Sequence, residues 1–256
     1  MSTTEEMRAR ALVLADNFRA ISGRVNTVAQ AASQQVRLVA VSKYKPASDI
    51  LALYNETGHR HFGENYVQEL MEKAPELPKE IHWHFIGQLQ SNKCRQLAKR
   101  IPNLWAVESL DSIKKATELE KGRASLLESS PEAEKLRVYV QVNTSGEEQK
   151  SGCQPEEARD ICQHIINNCP TLVLQGMMTI GSIARSKDAE NENEDFINLK
   201  RVRDSVSAEF GIELELSMGM TNDFEQAIQL GSTNVRVGTA IFGGRPPKEQ
   251  VAVGAS

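Results

Sequence analysis

What the sequence lacks narrows it first. There are four cysteines, Cys94, Cys153, Cys162 and Cys169. None forms a C-x-x-C pair, a spacing that supports neither a zinc site nor a disulfide framework, so they are expected to be reduced packing residues. No apolar run reaches the length needed to cross a bilayer. The start, Met1-Ser2-Thr3-Thr4-Glu5-Glu6, is acidic and leads into no apolar signal segment. A cytoplasmic protein is expected, with a mitochondrial fraction left open. The net charge is −4, so no global basic field attracts nucleic acid or anionic lipid, although a local anion site stays open. No G-x-G-x-x-G follows the first predicted strand, which counts against a dinucleotide fold.

What is present is an ordinary globular composition, 40% hydrophobic and 25% charged over 256 residues. That length suits one large domain or two small ones. A long amphipathic helix is predicted over about 5–32, with Leu12, Ala15, Phe18 and Val25 as its apolar stripe. Strands are then predicted at 36–43, 60–62, 81–87, 104–107, 136–142, 172–177, 212–216 and 234–237. The intervening helices run over 47–57, from 66 onward, 92–100, 110–121, from 155 onward, up to 210, and 222–230. A polar loop is expected at 123–134, a polar insertion at 182–194 and a frayed tail from Pro246. Eight βα units in sequence imply a closed parallel (β/α)8 TIM barrel over about 36–245, preceded by one extra helix, the whole chain 1–256 forming a single domain.

Function in such barrels sits at the C-terminal ends of the strands, and phosphates often bind after strands seven and eight. In Val39-Ala40-Val41-Ser42-Lys43, alternation puts Lys43 at the end of an apolar column. An ammonium against apolar walls loses its proton more readily and becomes a nucleophile towards aldehydes. The plainer reading is a lysine snorkelling to solvent. Ser217-Met218-Gly219-Met220-Thr221 after strand seven, with Asn222 and Glu225 as a capping box, and Gly238-Thr239 after strand eight, supply hydroxyls, backbone amides and a helix start for a phosphate. Arg236 lies opposite Val235 and Val237, either in a structural salt bridge or at a ligand.

Several stretches match a known family in order: Val41-Ser42-Lys43, His61-Phe62-Gly63-Glu64-Asn65-Tyr66, Trp83-His84-Phe85-Ile86-Gly87-Gln88-Leu89-Gln90-Ser91-Asn92-Lys93, Ser217-Met218-Gly219-Met220 and Val235-Arg236-Val237-Gly238-Thr239. Across about 33–247 the chain resembles the pyridoxal phosphate homeostasis protein family, the YggS/PROSC-like group, and its fungal members most. The resemblance implies a barrel of the alanine racemase N-terminal-domain type with pyridoxal 5′-phosphate at its mouth. It implies Lys43 as the Schiff-base lysine, Ser217, Gly238 and Thr239 at the phosphate, Arg236 facing the pyridine nitrogen and Asn65 near the ring. A cation beside that nitrogen disfavours its protonation and weakens the cofactor as an electron sink.

Racemisation needs a second acid/base group, which alanine racemase takes from an additional domain of its partner subunit, and the chain stops about ten residues after Pro247. The expected function is therefore a carrier serving vitamin B6 homeostasis with little or no turnover, a monomer that passes the cofactor to apo-enzymes. An amino-acid racemase is the alternative, and a phosphosugar or metal-assisted barrel enzyme a more distant one. His59-x-His61 and His82-x-His84 have the spacing of metal pairs but lack later partners, so core or rim histidines are expected and no metal. Lys150 resembles a family position suspected of a secondary cofactor role, while a solvated loop lysine is the plainer reading. Met177 and Met178 fit the core or the ring pocket, and the acidic run 188–195 a solvated face.

Overall fold

Eight short parallel strands close on themselves: β1 (Arg37–Val41), β2 (His61–Glu64), β3 (His82–Phe85), β4 (Leu104–Leu110), β5 (Leu136–Gln141), β6 (Leu172–Met178), β7 (Glu215–Ser217) and β8 (Asn234–Val237). Each pairs with the next in sequence, and β8 returns to β1 with Val39 opposite Arg236 and Ala40 opposite Val237. The computed structural model describes residues 4–147, 150–182, 184–188 and 191–244. The expected tail from Pro246 lies outside the described residues, as do parts of the 143–152 loop and of the 182–194 insertion.

Nine helices among the described residues cover the barrel: α1 (Thr4–Ala31), α2 (Ala47–Thr57), α3 (Val67–Lys73), α4 (Ser91–Arg100), α5 (Ile113–Ser129), α6 (Ala158–Asn168), α7 (Glu194–Phe210), α8 (Phe224–Gln229) and α9 (Thr239–Phe242). Strand side chains on one face meet these helices and those on the other fill the barrel, so both faces are largely buried, as in β1, Arg37-Leu38-Val39-Ala40-Val41. The fold is the expected (β/α)8 TIM barrel with an extra N-terminal helix. In α1 the buried residues are Leu14, Ala15, Phe18, Ile21, Val25 and Ala29. Their spacing of three and four is that of one helical face. Leu12, expected in that stripe, is half exposed.

The other departures lie at element boundaries. β4 runs on through Glu108 and Ser109 to Leu110. The helix therefore starts at Ile113, where the Ser112 side chain accepts from the Lys115 amide. The stretch expected to be a polar loop is helical as far as Ser129. Its polarity misleads because Arg123 is buried and donates to the carbonyls of Glu134, Ile101 and Pro102. Strand seven is Glu215–Ser217, later than expected. α8 starts at Phe224, and Glu225, instead of completing a capping box, reaches out to Arg24 at 2.9 Å. Asp195 is fully buried, unlike the solvated face expected of its run. Its carboxylate accepts from the Ser182 amide and from Arg185.

Candidate functional site

The C-terminal ends of β1, β2 and β8 open onto a cavity of about 330 Å3. Lys43, Asn65, Arg236, Gly238 and Thr239 all line it, together with Lys45, Ser186, Thr221, Asp223 and Phe242. Five of the six residues singled out in the sequence thus meet at one mouth. They do so because β1 and β8, the first and last strands, are neighbours in the closed barrel. Gly238 sits where a Cβ would lie 3.1 Å from the Val41 carbonyl oxygen, so the start of the last βα turn can press against the end of β1.

Ser217 is the sixth, and it lies beneath the cavity. It is fully buried, and its hydroxyl donates to Glu108 and accepts from Arg236 and from Asn234. The hydroxyl of the same loop that reaches the cavity is that of Thr221. Gly219, at φ +97°, turns the loop, and Asp223 closes it by accepting from the Met220 amide at 2.6 Å.

Three residues that line the cavity also carry hydrogen-bonding capacity the protein does not use: Asn65 Oδ1, Ser186 Oγ and Asp223 Oδ2 are buried without a protein partner among the described residues. Buried polar atoms are seldom left unpaired. Arg236 is buried, and burial pulls its pKa down, opposed mainly by Glu108. Its guanidinium donates to the Thr179 carbonyl at 2.8 Å and to Ser217, while the Glu108 carboxylate stands 3.9 Å away. An amine, a buried guanidinium, two hydroxyls and glycine-rich backbone at one opening suit a small anionic carbonyl compound.

The residues that hold this arrangement from below escaped the sequence reading. Glu108 is fully buried and accepts from Ser217 and from Asn234, with His84 Nδ1 at 2.6 Å. Burial works to raise the Glu108 pKa, but His84, Arg236 and Ser217 outweigh it and hold the carboxylate below its usual range. The available signal was a charged residue directly following Ala106-Val107 in a strand, where a barrel points alternate side chains inward. His61, His82 and His84 gather around Trp105 at the opposite end. Among the described residues no group of His, Cys, Asp and Glu is arranged to hold a metal. Lys150 is tied to the Gly181 carbonyl at 2.6 Å and to Glu147 at 2.9 Å, so it is no loose loop lysine. Met178 packs inside the barrel with Tyr139 and Ala106. No helix among the described residues is long and apolar enough to cross a membrane.

Residues 17–246 match the family model described as alanine racemase, N-terminal domain. The pyridoxal phosphate homeostasis protein of Schizosaccharomyces pombe is 45% identical over 216 residues, 84% of this chain and 87% of that one. The human protein of the same name is 45% identical over 219 residues, covering 82% and 77% of the two chains. Among solved structures, PipY of Synechococcus elongatus with PLP bound superposes at a TM-score of 0.67 with 29% identity, over 86% of this chain and all of that one. Alanine racemase from Corynebacterium glutamicum, 17% identical at a TM-score of 0.63 over 90% of this chain and 62% of its own, shares the fold. On these grounds the chain belongs to the pyridoxal phosphate homeostasis protein family, built on the barrel of the alanine racemase N-terminal domain.

Proposed function

We propose that this chain holds pyridoxal 5′-phosphate at the barrel mouth as a Schiff base on Lys43. It thereby buffers the cofactor in the cytosol as a monomer and releases it to apo-enzymes, with little or no turnover of amino acids. The observation that carries this reading is the meeting of Lys43, Arg236, Gly238 and Thr239 on one cavity at the C-terminal ends of β1 and β8. The PLP-bound structure of PipY supports the choice of ligand.

When bound, the cofactor supplies an aldehyde for an amine and an electron-withdrawing ring. The protein's own residues limit the use of that ring. Arg236 keeps its charge, as arginine does even when buried, and a cation facing the ring nitrogen disfavours protonation there. Thr221, Thr239 and the backbone after Val237 take the anionic end. Ser217 acts through Arg236, holding the guanidinium on one side and Glu108 on the other.

Racemisation requires an acid/base group on each side of the substrate carbon. Besides Lys43 and Arg236, the titratable groups lining the cavity among the described residues are Lys45 and Asp223. Lys45 is held by the Gly244 carbonyl at 2.6 Å and Asp223 by the Met220 amide at 2.6 Å. Both are thus already engaged by a backbone group. The purified protein should be yellow, lose its visible band on borohydride reduction with the added mass on Lys43, and lose the band in Lys43→Ala. A colourless wild type, or sustained L-to-D conversion of amino acids, would overturn the reading.

A further inference from the structure

The chain makes a tight turn at the end of β1. The Lys45 amide donates to the Ser42 carbonyl at 3.0 Å, with Lys43 and Tyr44 as the two central residues. Tyr44 sits at φ +62°. In a turn of this kind that position normally goes to glycine, because a Cβ makes the left-handed region unfavourable. A tyrosine persists there only if its surroundings hold it.

The holding groups come from β2 and α3. Glu69 accepts the Tyr44 amide at 2.7 Å. Lys73, one helical turn further along the same face, bridges Glu69 at 2.6 Å and Glu64 at 2.8 Å, and donates to the Ser42 carbonyl at 3.1 Å. Glu64 in turn accepts from the Ser42 hydroxyl at 2.6 Å. The residue before Lys43 and the residue after it are therefore both gripped by one buried ionic cluster. Ser42 and Glu64 are completely buried and Lys73 is 7% exposed. None of the three lines the cavity. Buried ion pairs add little net stability over apolar packing, so stability alone is a weak reason for this one. Burial also pushes the Glu64 carboxyl up to about 7, against the pull of Lys73 and Ser42.

We propose that Glu64, Lys73 and Glu69 are positioning residues that lock the Ser42–Lys45 turn, so that the Lys43 amine is presented to the cavity ready to condense with an aldehyde. This inference rests on the Schiff-base reading above. In the condensation the neutral amine nitrogen bonds to the aldehyde carbon, the carbonyl oxygen leaves as water with the two amine hydrogens, and nothing is oxidised or reduced. The cluster fixes only the direction of approach.

The test separates condensation from binding with two probes. Pyridoxal 5′-phosphate carries the aldehyde; pyridoxine 5′-phosphate has the same ring and phosphate but an alcohol that cannot condense. In Glu69→Ala and Lys73→Met, the visible band should form at least about tenfold more slowly, since a reacting group displaced by about an ångström loses rate on that scale. The Kd for pyridoxine 5′-phosphate should stay within about threefold, and Lys73→Arg should recover most of the rate. Amide exchange at Tyr44 in the ligand-free Glu69→Ala protein, which has no side-chain acceptor at that position, should accelerate by about tenfold or more. Unchanged condensation in folded Glu69→Ala, or equal losses for both probes, would overturn the proposal. If wild type forms no reducible imine at Lys43, the Schiff-base reading itself fails; unchanged Tyr44 exchange in Glu69→Ala removes the clamp whatever the imine result.

Discussion

Two arginines in this barrel show how its ends differ. Arg37 opens β1 at the floor, where Glu215 binds it directly at 2.8 Å and its guanidinium lies 4.3 Å above the Trp105 ring. Arg236 ends β8 at the mouth, where its nearest carboxylate is 3.9 Å away and a serine hydroxyl stands between them. The floor arginine is consumed by its own protein, with a carboxylate and an aromatic face taking up its capacity. The mouth arginine is positioned but not neutralised, and it faces a cavity. Residue type is the same in both places, and the partner decides how much of the charge the fold itself takes up.

Substitution should separate the two roles. Arg37→Ala leaves Glu215 and Tyr139 without their shared cation and should lower stability by about 3 kcal/mol, the low end for a broken buried pair because this one is partly exposed. Urea unfolding measures that loss, and affinity for pyridoxine 5′-phosphate should be unchanged. Arg236→Met should do the reverse at the ligand, weakening the same phosphorylated probe by about tenfold or more, as lost charge-assisted contacts do. Equal effects of both substitutions on ligand affinity would erase the distinction.

The ends also differ in their response to pH. At the floor, burial holds His59 down at about 4 and His61 at about 2. Their folded pKa values lie below the unfolded value, so the folded state binds fewer protons and stability is lost as pH falls from about 6.5 towards 4. Beside the mouth, Glu64 is pushed up to about 7. Its contribution has the opposite sign, being complete below about 4.5 and lost as pH rises through 7. Glu64 offsets only part of the two histidines' contribution, so wild type should still gain stability as pH rises from about 5 to 7. Glu64→Gln removes the mouth component and should steepen that rise by about 2 kcal/mol across the window. A flat profile in Glu64→Gln would contradict the floor assignment. The smallest effect belongs to the exterior: Arg24→Ala, which breaks an exposed pair with Glu225, should cost less than about 1 kcal/mol by thermal denaturation.

That Lys43, Arg236, Gly238 and Thr239 come to one end of the barrel was legible because each belongs to a short stretch with its own local logic: a strand, a breaker and a polar residue at the end. The barrel followed from the count and alternation of such stretches. Glu108 was not legible, because a carboxylate after Ala106-Val107 reads as the end of a strand. Only the opposing Ser217, Asn234 and His84, more than 20 residues away in every case, make it an interior residue. The same holds for Arg123, whose acceptors are carbonyls of other segments. Thr221 was overlooked in favour of Ser217 because which hydroxyl of a loop faces outward depends on the left-handed turn at Gly219.

The adjacency of β1 and β8 has a consequence for how the molecule is made. On the ribosome, Lys43 emerges long before the segment that will stand beside it, and Arg10 and Asn17 of the first helix reach their acceptors, the carbonyls of Phe242 and Ile241, later still. A nascent chain arrested before residue 234 lacks β8, and with it one wall of the cavity.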